Sequence, residues 1–128
     1  MRASIPFEAA VIRVVPRVER AEFVNVGVIL YCRSLRFLEA RIALDWGRIE
    51  AFAPGALDRA ELEAHLAHLV RVAAGDPVGG ALSELSTQER FHWLVAPRST
   101  VIQVSAPHAG FCANPSDALA KLMDSLVR

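Results

Sequence analysis

The segment ERAEFVNVGVILY, Glu19 to Tyr31, passes from three charged residues around Ala21 into a β-branched run interrupted by Asn25 and Gly27. Valine, isoleucine and aromatic residues suit a pleated, half-buried surface, so Phe23 to Tyr31 reads as a strand. Side chains alternate along a strand. Val24, Val26, Val28, Leu30 and Cys32 therefore share one side and form an unbroken core face. Phe23, Asn25, Gly27, Ile29 and Tyr31 take the other, where Gly27 leaves a gap and Asn25 offers two donors and an acceptor beside it.

Working outward, Phe7 to Val15 reads as a preceding strand closed by Pro16, which has no amide hydrogen for a ladder. A charged connection, Arg17 to Glu22, leads into the central segment. A short turn, Cys32 to Ser34, leads out of it to a third strand over Leu35 to Leu44. Short links favour an antiparallel meander, because a parallel pair needs a crossover of about a dozen residues. Alternation in the flanking strands places Arg13, Glu39 and Arg41 on the same reverse side as Asn25 and Gly27, ringed by Phe23, Phe37 and Tyr31. That composition suits an anionic ligand or another protein's carboxylates. The same residues also suit an ordinary half-solvated sheet, with Gly27 marking a bulge or a closely packed helix.

Asp45 to Pro54 reads as irregular, with one helical turn. Asp58 and Glu61, flanked by Leu57 and Leu62, mark the start of a long helix whose Leu62, Leu66, Leu69, Val70 and Ala73 recur on one face. Gly75 and Pro77 end it. Val78 to Leu85 reads as a loop with a helical turn. Ser86 and Glu89 open a second, short helix ending before Pro97, and Thr100 to Val104 reads as a fourth strand. Asn114, with Pro115 and Asp117, opens a last helix with the stripe Leu119, Leu122, Met123, Leu126 and Val127. Strands first and helices later give an α+β class: one domain over residues 1–128, an antiparallel sheet of about four strands, and three helices packed mainly on one face.

The balance of 14 basic against 14 acidic residues, with no long run of either sign, argues against nucleic-acid or membrane-surface binding. Basic charge is nevertheless concentrated early, with eight arginines against five carboxylates through Arg48. No apolar run approaches the ~18 residues of a membrane span, and no secretory leader is evident. A cytoplasmic location follows as the expectation, with Cys32 and Cys112 as free thiols.

No cofactor is implied. His65 and His68, three apart on the long helix, lack a third ligand, so no metal site is expected. Arg98, Ser99, Thr100 and His108 form an alternative anion site, since arginine and a polar turn suit phosphate. Cys112 near His108 lacks the oriented base that a nucleophile requires. Enzymatic activity is thus undecided, with the balance against it.

Two blocks carry a resemblance. VIRVVP (Val11 to Pro16) with ERAEFVNVGVILYC (Glu19 to Cys32) resembles the amino-terminal signature of the bacterial family catalogued as domain of unknown function 3037. WLVAPRSTVIQVS (Trp93 to Ser105) and NPSDAL (Asn114 to Leu119) resemble its closing region, so the likeness covers essentially the whole chain. Ala21 departs from the signature, which leads one to expect glycine there. No catalytic residues come with the family. The resemblance implies a partner, because family members are often encoded beside a HipA-like serine/threonine kinase of the type found in toxin–antitoxin and persistence modules. The expected function is a non-catalytic binding partner or regulator of such a kinase, acting through Arg13, Asn25, Gly27, Glu39 and Arg41. The alternative is an enzyme or sensor for a small phosphorylated or nucleotide ligand, and a homodimer formed through an open sheet edge is a third expectation.

Overall fold

Strands β1 (Ile5–Val14), β2 (Val24–Cys32) and β3 (Phe37–Ile42) form the expected antiparallel meander, with β2 between the other two. The computed structural model describes residues 4–98 and 100–128. Each link of the meander is a single 3-10 turn, Val18–Arg20 and Arg33–Leu35, closed by a residue in the left-handed region, Ala21 (φ 56°) and Arg36 (φ 51°). The second edge of β1 pairs with two short strands in succession, β4 (Ile102–Val104) and β5 (His108–Cys112). Among the described residues the sheet therefore has five strands, not about four. The strand missing from the sequence reading, HAGFC, has no β-branched residue and a glycine at its centre, and pairing with β1 supplies what propensity does not.

The ladder between β1 and β2 is irregular at one place. Ile12 lies opposite Gly27 and Arg13 opposite Asn25, so Val26 is the extra residue of a β-bulge. Val24 and Val26 consequently join Ile29 and Tyr31 in one core, while Val28, Leu30 and Cys32 enter another. Alternation holds on each side of the bulge and fails across it. Gly27 is on the side of Ile12 and Ile29, away from Asn25. A methyl group there would run into the Arg41 carbonyl oxygen and come to 2.7 Å from Ile42 Cδ1. The glycine thus allows β3 to close against the bulged strand.

Among the described residues four α-helices, not the expected three, complete the fold. They are α1 (Trp46–Phe52), α2 (Arg59–Ala74), α3 (Thr87–Val95) and α4 (Pro115–Leu126), with a 3-10 stretch over Pro77–Glu84. The segment read as irregular after Asp45 is thus a true helix, because Asp45 caps it by accepting from the Arg48 amide. Asp58 and Asn114 cap α2 and α4 in the same way, and a complete Ser86–Glu89 capping box starts α3. Gly75, at φ 72°, ends α2.

The helices cover both faces of the sheet, which corrects the expectation of one covered face. Leu62, Leu66 and Leu69 of α2 and Phe91 and Leu94 of α3 pack with Ile12, Ile29, Tyr31 and Leu38. The Tyr31 ring stacks on Phe91 at 4.8 Å between centroids. Leu119, Met123 and Val127, at and just beyond α4, pack with Ala9, Val28, Leu30 and Cys32 on the reverse face. Periodicity identifies the α4 stripe as buried, but not which face receives it. Among the described residues no helix is long and apolar enough to cross a membrane.

Two stability changes of opposite sign follow. Gly27→Ala should cost about 2 kcal/mol, the range of an overpacked core, read as a lower midpoint in urea. Ala21→Gly should gain about 0.5–1 kcal/mol, because a β-carbon in the left-handed region is strained and glycine is not. An unchanged or lower midpoint for Ala21→Gly would refute the assignment of strain to that turn.

Candidate functional site

The register places four of the five residues of the candidate face together. Arg13 lies opposite Asn25, Arg41 opposite Val28 and Glu39 opposite Leu30, all on the side that carries α4. Gly27 and Tyr31 lie on the other side, for the reason given by the bulge. Phe23 stays with Asn25, and the Arg13 guanidinium sits over its ring, 4.2 Å from the centroid. Phe23 is 45% exposed, so its ring is open to solvent, whereas Arg13 is half-buried.

The polar side chains of this face hold α4 at both ends. Arg41 pairs with Glu39 at 2.6 Å and donates through Nη2 to Ser116 Oγ at 3.0 Å, in the first turn. At the other end the Asn25 amide donates to the Leu126 carbonyl at 3.0 Å, and Arg48 Nη1 to the Val127 carbonyl at 3.1 Å. Helix C-terminal carbonyls lack intrahelical donors and carry partial negative charge, so an amide and a guanidinium suit them. Arg48 was not singled out from the sequence. Its only signal there is a position three residues after the helix cap Asp45. Two buried atoms nearby, Arg13 Nε and Asn25 Oδ1, have no hydrogen-bond partner.

The alternative anion site is dispersed. Arg98 donates to the Leu94 carbonyl at 2.7 Å and the Trp93 carbonyl at 3.0 Å, closing the C-terminus of α3, and its guanidinium lies 4.9 Å from the Trp93 ring centroid. Burial pushes its pKa down from the ordinary arginine value. Thr100 donates to the Ile102 carbonyl. Ser99 lies outside the described residues. His108 is on β5 opposite Ala9, whereas Val101, next to Thr100, accepts from the Val15 amide. Six residues of β1 separate those two positions, about 20 Å, so His108 does not meet Arg98 or Thr100.

His68 packs edge-on against Trp93, and among the described residues no three His, Cys, Asp or Glu side chains gather as metal ligands. Cys32 and Cys112 are free thiols. They stand two strands apart and two residues out of register, about 12 Å, beyond disulfide reach. Burial, reinforced by Cys32, pushes the Cys112 thiol up from its ordinary pKa. Cys112 also lines an open groove of about 770 Å³ between β5 and α4, with Phe7, Lys121 and Leu122.

Asn25→Ala should destabilise the protein by about 1 kcal/mol, the usual worth of one hydrogen bond. Amide exchange should quicken in the last turn of α4 ahead of α2. Equal quickening in both helices would show that Asn25 does not hold α4 specifically.

No curated protein and no solved structure matches the chain. A family profile described as "Protein of unknown function (DUF3037)" matches residues 10–127. That span takes in the bulged β2, the charged strip of β3, the Arg98 cap and all of α4, and by this match the chain belongs to the DUF3037 family.

Proposed function

We propose that this protein is a non-catalytic binding protein, a partner or regulator of another protein, and that a HipA-like serine/threonine kinase is the partner to test first. The observation that supports this reading is the solvent-open Phe23 ring on the α4 face, with the half-buried Arg13 stacked on it. Arginine and aromatic side chains dominate the energetic centres of protein interfaces, where a flat guanidinium over a ring loses little freedom on docking. The Arg41–Glu39 pair, with side chains 33% and 39% exposed, adds a charged rim on the same face. Arg98 and Thr100, by contrast, direct their polar atoms to main-chain carbonyls, which leaves them little capacity for a small anion. The kinase itself is carried over from what the family resemblance implies.

Phe23→Ala combined with Arg41→Ala tests the surface without removing Asn25 or Arg48 from the α4 carbonyls. In co-expression with a HipA-like kinase from the same genome, the kinase should co-purify with the wild type, and its capture should fall roughly tenfold or more with the double variant. Separate elution of the two wild-type proteins, with kinase activity unchanged by mixing, would overturn the reading.

A further inference from the structure

Strand β5 closes one side of the sheet and presents an uncharged edge. Its sequence, HAGFC, contains neither an acidic residue nor a lysine, arginine or proline, the usual blocks to edge pairing. The opposite edge, β3, carries Glu39 and Arg41. Helix α4 packs mainly on β2 and β3, and α2 on β3, and among the described residues His108, Ala109 and Phe111 of β5 remain exposed. Phe111 in this strand is 73% exposed, the most exposed large apolar side chain among the described residues.

The direction of the free main-chain groups follows from β1. Val11 accepts from the Ser105 amide and donates to Ser105 Oγ, so its polar groups point toward the β4–β5 side. Main-chain groups alternate sides along a strand, so those of Ala9, Phe7 and Ile5 point the same way. Their partners His108, Gly110 and Cys112 are then bonded inward to β1. The N–H and C=O groups of Ala109 and Phe111 point away from the sheet, and no described residue pairs with them.

We propose that two copies of this protein associate through β5, antiparallel, about a two-fold axis at Gly110. In that register Ala109 of each copy lies opposite Phe111 of the other. The four outward N–H groups and carbonyls of one copy then meet their complements in the second, giving four main-chain hydrogen bonds and one continuous ten-stranded sheet. The same patch serves both copies, as closed two-fold symmetry requires. An axis at Ala109 would instead set Phe111 against Pro107, which has no N–H to donate.

The side chains fit this register. Gly110 faces the Phe7 ring, so Ala109 and Phe111 face the opposite side of the sheet. Ala109 there lines a cavity of about 310 Å³ with Pro6, Tyr31 and His92. Phe111 of the second copy arrives beside the small Ala109, at the mouth of this cavity, and gains the packing that it lacks in a single copy.

Light scattering after gel filtration, at high and low protein concentration, tests the proposal. The wild type should run at the mass of two chains and dissociate on dilution. Ala109→Pro removes only an outward N–H and leaves the ladder to β1 intact; Phe111→Glu places a charge on each half of the interface. Both variants should be monomeric, with circular dichroism unchanged. Hydrogen exchange on the wild type gives a second readout that needs no substitution, because the Ala109 and Phe111 amides should gain protection as concentration rises. A wild type that stays monomeric, a dimer that survives both substitutions, or amides whose protection ignores concentration would each overturn it.

Discussion

The extra residue at Val26 is the constraint on which the rest of the molecule depends. A regular β2 would present Val24, Val26, Val28, Leu30 and Cys32 to one side and leave the other with a carboxamide, a gap and two large apolar residues. The bulge instead divides the strand into two half-strands of opposite phase. Apolar side chains then reach both faces, and both faces acquire a core. Without that division the floor beneath α4 would lose Val28, Leu30 and Cys32, which would face α2 and α3. The absence of a side chain at Gly27 is the local condition for it, since the Arg41 carbonyl occupies the space that a methyl group would need.

Polar groups on the α4 face act mainly through the main chain. Asn25 and Arg48 address carbonyls at one end of α4, and Arg41 addresses a hydroxyl at the other. This arrangement locates a helix along its axis, which apolar packing alone does less sharply because the hydrophobic effect has no direction. The helix is therefore held by a non-directional floor and by directional contacts at its two ends. Arg98 does the same for α3, and the recurrence explains why arginines that look available in sequence leave few free donors in the fold.

How much of this was legible beforehand depends on whether a feature is local. The capping residues Asp58, Ser86 and Asn114 and the stop at Gly75 are set by groups within four residues, and the helices begin and end where those residues stand. The meander was legible from short links. The bulge was not, because two residues opposing one is a property of a pair of strands, and no feature of β2 alone reports it. Strand β5 was hidden for a related reason, since its order comes from β1, about a hundred residues earlier in the chain. Of the candidate face, Arg13, Asn25, Glu39 and Arg41 were grouped by alternation, and they do lie together. Gly27 and Tyr31 were assigned to that face by carrying the alternation through the bulge.

The position of β1 also has a kinetic meaning. One of its edges pairs with β2 across a short link, whereas the other pairs with residues beyond Ile102, and Val11 and Ser105 are 94 positions apart. Contacts of such separation require closure of a long loop before any ladder bond rewards it, and they slow folding. The meander can form early, but its first strand remains half paired until β4 and β5 arrive. During that interval an apolar strand with a free edge is exposed to other chains. The most aggregation-prone period of this protein's folding is therefore set by the docking of its last two strands, not by the formation of its helices.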